Sequence, residues 1–371
     1  MKNLVPILKA CNARHIFLVR GKGSYISCGA EKIINSAVSE INCDVTEYCD
    51  FSENPKFDDL IKGIELLKRS NADIILAVGG GSVMDMAKLI RFFAAYEGEV
   101  TGKNFNKISD ELPLIVLPTT AGTGAEATHF SVLYKDNVKY SVEHDSILPD
   151  YVLIYPPFTY GNNKYLTACT GFDALAQAIE AFWNVNATEE SDAYAEKAIG
   201  LLWPNLPQLV NNPTESLRDK VSEGSYWAGK AINITKTTAP HAFSYPFTSF
   251  YGYPHGHAVA LTFPYFFALN CGGLNSDRKR VVRLLQVLGI DQSADLSKHM
   301  KTYAERLGLQ LREGEEIDKN LILSQVNLDR LKNNPVEIVD QIISDSILIP
   351  TSRRWSDNAD YSIKVANKET N

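Results

Sequence analysis

Through the first 160 or so residues, short apolar segments alternate with longer stretches whose apolar residues return every three or four positions. The segments HIFLV, DVTEYCD, DIILAV and PLIVLP are short and rich in β-formers, which predicts four strands. Between the second and third, PKFDDLIKGIELLKRS has helical spacing, with Pro55 near the helix start, and predicts a crossover helix. Strands alternating with helices form a parallel sheet covered by helices. Beyond Pro156 and Pro157 the pattern changes to long amphipathic stretches, DALAQAIEAFW, SDAYAEKAIGLLW and RKRVVRLLQVLG, with few strand-like runs. The expectation is an α/β domain over residues 1–160 and an all-α domain over 161–371, whose polar last stretch SDNADYSIKVANKETN frays.

With 371 residues, 45% hydrophobic and 22% charged, the chain has the composition of a folded protein large enough for two domains. A formal charge of −7 argues against a nucleic-acid partner, which needs a basic face to neutralise phosphates. The start, MKNLVPILKACNARHIF, lacks a long apolar core with a small-residue cleavage site, and no run reaches membrane-spanning length. A cytoplasmic protein without a membrane partner is therefore expected. Its six cysteines are scattered without CxxC spacing and read as reduced thiols.

Two glycine-rich turns follow predicted strands. In ILAVGGGSVMDMAKLI an apolar strand runs into Gly79, Gly80, Gly81 and Ser82 and then a helix. Glycines let the backbone approach a pyrophosphate, and the helix N-terminus offers unpaired N–H groups with a favourable dipole. In LPTTAGTGAEAT, Thr119, Thr120 and Thr123 interleave with Gly122 and Gly124 at the end of the next strand. Ligands of parallel sheets bind outside the strand C-termini, so the two loops together predict a dinucleotide site.

In GFDALAQAIEAFW, Asp173 and Gln177 lie one helical turn apart and project from the same face. His241 and His255 follow inside HAFSYPFTSFYGYPHG, the second in a Pro-His-Gly turn. These four side chains make a mixed oxygen and nitrogen donor set suited to Fe(II), Zn(II) or Mn(II). For Asp173 alone, capping a helix or balancing its dipole is the competing structural role. His257, two residues on, is a second candidate, but a helix-entry histidine pointing to solvent explains it equally well, and it is left out of the set.

Four motifs in order resemble those of the iron-containing (group III) alcohol dehydrogenase family, and the resemblance spans nearly the whole chain. GGGSVMDMAK resembles the family's GGGSxxDxxK, PTTAGTGAE its PTTxGTGSE, GFDALAQAIEAF its GxDALxHAIEAY, and YPHGHAVAL its PHGxANAxxLP. The resemblance implies a dehydroquinate synthase-like architecture, an N-terminal dinucleotide-binding α/β domain facing an all-α metal-binding domain across a cleft. It implies that Gly80, Gly81, Ser82, Asp85, Thr119, Thr120, Thr123 and Lys139 contact NADH or NADPH. It also implies that Asp173, Gln177, His241 and His255 hold the divalent ion, Fe2+ first and Zn2+ as the alternative. The implied chemistry is hydride transfer between the nicotinamide and a small aldehyde or primary alcohol, in a protein that forms homodimers.

Three departures from the family pattern carry expectations of their own. Gln177 stands where iron-binding members have His, so its neutral amide oxygen either binds more weakly or leaves the ion to Asp173, His241, His255 and water. Tyr245 replaces a further His and is a candidate proton relay or a packing residue. Arg20, Gly21 and Lys22 replace the acidic residue that accepts bonds from the adenosine ribose in NAD-preferring members, which predicts acceptance of NADPH, with plain surface charges and equal use of NADH as the alternative. The segments TKTTAPHAFSYPFTSFYGYPHGHAVALTFP and ACTGFDALAQAIEAFW resemble the phosphonoacetaldehyde reductase branch, which makes 2-hydroxyethylphosphonate. Lys236, among Thr235, Thr237 and Thr238, is the candidate phosphonate anchor, with a solvated helix charge as the plain alternative. A general short-chain alcohol dehydrogenase, a lyase resembling dehydroquinate synthase, and a nucleotide-binding protein with a decayed metal site are the competing functions.

Overall fold

The computed structural model describes residues 3–96, 111–136, 138–272 and 278–338; the polar C-terminal stretch lies outside the described residues. Four of the strands were legible as segments: β1 His15–Arg20, β2 Asp44–Tyr48, β3 Ile74–Gly79 and β4 Leu114–Pro118. They are joined by β7, Tyr151–Val152, into one parallel sheet in the order β2-β1-β3-β4-β7. β3 and β4 are buried along their whole length, as expected of central strands covered on both faces. The chain leaves β1 for β2 on one side and returns to β3 on the other, so a switch in strand order lies between β1 and β3.

Helices α1 (Leu4–Ala10), α2 (Ser24–Ser27) and α3 (Ala30–Ile41) cover one face of the sheet. Helices α4 (Phe57–Ser70) and α5 (Gly81–Ala94) cover the other, where α4 is the expected crossover helix. An antiparallel hairpin, β5 (Phe130–Lys135) with β6 (Val138–Glu143), adds to the α5 side. The sequence reading gave neither the hairpin nor β7.

The rest is helical: α6 (Lys164–Trp183), α7 (Glu189–Leu202), α8 (Leu206–Asn211), α9 (Glu215–Thr235), α10 (Ala239–Tyr251), α11 (His255–Gly272), α12 (Arg278–Leu288), α13 (Leu296–Arg306), α14 (Lys319–Ser324) and α15 (Leu328–Leu331). α6 starts at Asn163, whose side chain accepts from Leu166 N at 2.8 Å, and runs as the axis of the helical core. It packs against α7, α8, α9, α11 and α12. Sheet and helical parts meet closely at Gly124, in a left-handed turn, where a Cβ would sit 2.4 Å from the Cα of Gly229 on α9. Among the described residues no helix is long and apolar enough to cross a membrane. All six cysteines are free.

A buried lysine fixes the hairpin to the glycine-rich helix. Lys88 on α5 donates to the carbonyls of Ala125 (2.8 Å) and Phe130 (2.7 Å) and to Thr128 Oγ1 (3.1 Å). Burial pulls its ammonium down to about 8 against the opposing pull of Asp85 and Glu126. Burial likewise lifts the carboxyl of Glu126 from its ordinary 4.5 to about 7, with Lys88 acting the other way. The folded chain therefore holds the Glu126 proton more tightly than the unfolded chain does. That contribution to stability is complete below about pH 4.5 and is lost as pH rises through about 7. Urea midpoints of wild type should fall relative to those of Glu126→Gln across this window. Parallel pH profiles for the two proteins would remove Glu126 from the account.

Candidate active site

Asp173, Gln177 and Glu180 form one stripe on α6 and are 2%, 4% and 0% exposed. Two carboxylates inside an apolar helix are costly unless donors and cations surround them. Glu180 accepts from Thr238 N (2.9 Å) and Thr238 Oγ1 (2.8 Å), and from Nδ1 of His241 through a very short contact. Trp183 on the same helix donates to Thr238 Oγ1 at 3.0 Å, which fixes the entry of α10 against the end of α6. His241, in the first turn of α10, thereby turns its Nε2 toward Asp173 Oδ1, 3.1 Å away.

His255 opens α11, with its Nε2 3.7 Å from Asp173 Oδ1. One ligand atom from each of Asp173, His241 and His255 lies within 4.8 Å of the others. The rings of His241 and His255 meet edge to face with centroids 5.3 Å apart. The approach of α11 to α6 depends on Gly256, where a Cβ would lie 1.9 Å from the carbonyl oxygen of Cys169 and 3.0 Å from Asp173 Cβ. Tyr245 stacks on His255, centroids 5.9 Å apart and planes within 14°.

The Gln177 amide nitrogen donates to Thr123 O at 3.3 Å. A main-chain carbonyl only accepts, so Oε1 must point the other way, and it is buried without a hydrogen-bond partner. An orphaned oxygen one helical turn from Asp173 is what a cation ligand looks like in the absence of its ion. His241 carries the same message. Burial alone would push its imidazole down, but Glu180 and Asp173 outweigh this and raise it to about 10. The pocket demands a positive charge beside Asp173, and the donor set fits Fe(II), Zn(II) or Mn(II). The carboxylate behind His241 matches the usual support of a metal-bound imidazole.

The two glycine-rich loops meet at the C-terminal edge of the sheet. Gly80 is the N-cap of α5 and offers no side chain to close it. A Cβ on Gly80 would lie 3.4 Å from Thr120 Oγ1, and one on Gly81 2.8 Å from Thr123. Thr119 Oγ1 is buried without a hydrogen-bond partner. Ser82 accepts from Asn54 N at 3.1 Å and Asp85 from Val132 N at 3.3 Å, which ties both to neighbouring segments. Lys139 falls on β6, paired in register with Tyr134; its side chain is outside the described residues.

Several expected residues have different surroundings from those the sequence suggested. His257 does not face solvent: it is 4% exposed, bonded through Nδ1 to Tyr165 Oη (2.8 Å) and through Nε2 to Gln310 O (2.9 Å). The Gln310 carbonyl places the proton on Nε2, and burial lowers the ring's basicity, so His257 is a neutral core histidine. Lys236 sits in a left-handed conformation at the end of α9, its ammonium paired with Glu143, which also binds His129. Arg20 pairs with Glu47 at 2.7 Å and Lys22 with Asp50 at 3.1 Å, so neither cation of that loop stands alone. Glu180 and Lys88 escaped the sequence reading; each is the anomalous charge in an otherwise apolar part of its motif.

Residues 1–156 match the family model described as iron-containing alcohol dehydrogenase, and residues 167–347 the model for the C-terminal part of that family. Long-chain-alcohol dehydrogenase 1 of Geobacillus thermodenitrificans is 33% identical over 272 residues, 71% of this chain and 68% of that protein. 1,3-Propanediol dehydrogenase of Citrobacter freundii is 33% identical over 263 residues, 69% of this chain and 68% of its own. The crystal structure of sulfoacetaldehyde reductase from Bifidobacterium kashiwanohense in complex with NAD+ aligns over 92% of both chains, at 30% identity and a TM-score of 0.81. The chain belongs to the iron-containing alcohol dehydrogenase family and is an oxidoreductase of that type.

Gly256→Ala should push α11 off α6, cost about 1–3 kcal/mol in stability and weaken metal binding; unchanged melting and metal titration would contradict the packing argument. Because Glu180 and Asp173 raise the His241 imidazole in the metal-free chain, metal uptake should release protons. Calorimetry in buffers of different ionisation enthalpy measures it. Glu180→Gln should weaken binding about 10–100-fold and shrink that release.

Proposed function

We propose that the chain reduces a short aldehyde bearing an anionic tail, using NADH or NADPH and a divalent ion held by Asp173, Gln177, His241 and His255. The observation that carries this reading is the buried ligand cluster, with the orphaned Gln177 oxygen beside it, next to the Gly80–Ser82 cradle. Gln177 itself links the two halves through Thr123 of the second nucleotide loop. When bound, the ion supplies Lewis acidity to the aldehyde carbonyl and the nicotinamide supplies the hydride.

The chain's own residues align these partners. Glu180 holds His241 by Nδ1 so that Nε2 faces the site, and Tyr245 holds the plane of His255 by stacking. The Tyr245 phenol lies near that of Tyr134, which burial and then Tyr245 and Asp85 lift to about 12. Tyr245 is the candidate to return a proton to the product oxygen, and Tyr245→Phe separates that role from packing.

Phosphonoacetaldehyde is the substrate suggested by the sequence, and the sulfonate analogue named for the Bifidobacterium structure has the same outline. Arg20 and Lys22 would meet a ribose 2′-phosphate, while Glu47 and Asp50 beside them would meet free ribose hydroxyls. Both nucleotides are therefore expected to serve, in a cytoplasmic homodimer.

The test follows NADH and NADPH absorbance with phosphonoacetaldehyde, sulfoacetaldehyde and propanal after stripping the protein and adding Fe(II), Zn(II) or Mn(II). Turnover should return with the ion and vanish in His255→Ala, while nucleotide binding persists. Full turnover in His255→Ala or in chelated protein would overturn the proposal.

A further inference from the structure

Arg218 on α9 is a buried guanidinium, 7% exposed, that makes no ion pair among the described residues. Neutral oxygens answer it instead: Nη2 donates to the carbonyl of Asn162 at 2.6 Å and Nη1 to Thr167 Oγ1 at 2.7 Å. Burial pulls the group below its ordinary value. A cation withdrawn from water without a carboxylate is costly, and a rigid fork of donors that fixes two acceptors at once is what offsets the cost here.

The two acceptors lie at the joint between the sheet and the helical domain. Asn162 and Asn163 stand between the short turn Pro156–Thr159 and α6, which carries Asp173 and Gln177. Thr167, near the start of α6, accepts from Arg218 and donates onward to Asn163 O at 2.8 Å. From the same joint the Asn162 amide reaches back to the second glycine-rich loop, where Nδ2 donates to Thr119 O at 3.1 Å. Thr119 N in turn donates to Gly79 O at 2.9 Å, so the main chain of Thr119 is gripped on one side by the first glycine-rich loop and on the other by Asn162. Its Oγ1 is left buried without a hydrogen-bond partner. Further along the loop Gln177 donates to Thr123 O. The loop thus hangs between two amides of the helical side, and that of Asn162 is itself held by the Arg218 charge.

We infer that Arg218 is a positioning residue for the dinucleotide: acting through Asn162, and without touching the ligand, it fixes the Thr119 backbone and with it the orphaned Thr119 hydroxyl. This inference rests on the two glycine-rich loops forming the dinucleotide site proposed above. NADH is titrated by fluorescence into wild type, Arg218→Met, Arg218→Lys, Asn162→Ala and the double variant of Arg218→Met with Asn162→Ala, and Zn(II) affinity is measured on each. Either Arg218→Met or Asn162→Ala should weaken NADH binding about tenfold, as expected for one lost charge-supported hydrogen bond. The nucleotide KM should rise by a similar factor, with kcat changing less. Because the two residues act in series, the double variant should bind about as weakly as the weaker single one, whereas independent defects would multiply. Arg218→Lys keeps the charge, loses the fork and should recover part of the affinity. Unchanged NADH affinity in Asn162→Ala, or multiplying losses in the double variant, overturns the assignment. So does a fall in Zn(II) affinity as large as that for NADH, which would make Arg218 a general structural residue. Should Arg218→Met fail to fold, Asn162→Ala and its combination with Arg218→Lys decide the matter. Wild type that binds NADH no better than the variants sinks this inference alone; wild type that binds no NADH sinks the dinucleotide site with it.

Discussion

The helical domain is organised around negative charge buried on α6. Asp173 and Glu180 sit two turns apart in a helix that is otherwise apolar, where an unanswered carboxylate would cost several kcal/mol. His241 answers both, one through each ring nitrogen, and needs α10 to start where it does. Thr238 and Trp183 fix that start, and the absence of a side chain at Gly256 lets α11 deliver His255 to the same point. In the metal-free chain the raised His241 imidazole is the group that answers the two buried carboxylates.

Most of the sheet was readable because buried parallel strands are short apolar segments, and the helices because their faces repeat. β7 spans only two residues, too little for any pattern. The hairpin hides in a half-polar stretch whose meaning comes from what it packs against. Asp173, Gln177, His241 and His255 were readable as a donor set, but Glu180 earns its role only through a partner 61 residues away. The same holds for Arg20 and Lys22, whose carboxylate partners lie 27 and 28 residues further on. His257 looked solvent-facing because Tyr165 and Gln310, which bury and bond it, are remote in the chain.

Gln177 is the position at which this chain differs most instructively from its family pattern. An imidazole there would give the ion one more strong donor; the amide instead spends its nitrogen on Thr123 and offers a weaker oxygen. The result is a candidate site joined to the second glycine-rich loop by the Gln177 side chain itself. As a weaker donor than imidazole, the amide oxygen would leave a bound ion more electron-poor, which favours polarisation of a carbonyl over tight retention of the metal.

The hairpin carries a wider implication. Its backbone is gripped from the α5 side by Lys88 and Asp85, while Phe130 and Tyr134 look toward Arg330 and Tyr245. One two-stranded ribbon thus joins the glycine-rich helix to the residues beside the candidate metal ligands. By thermodynamic reciprocity, any affinity that a seated dinucleotide adds for the aldehyde is returned in equal measure by the aldehyde to the dinucleotide.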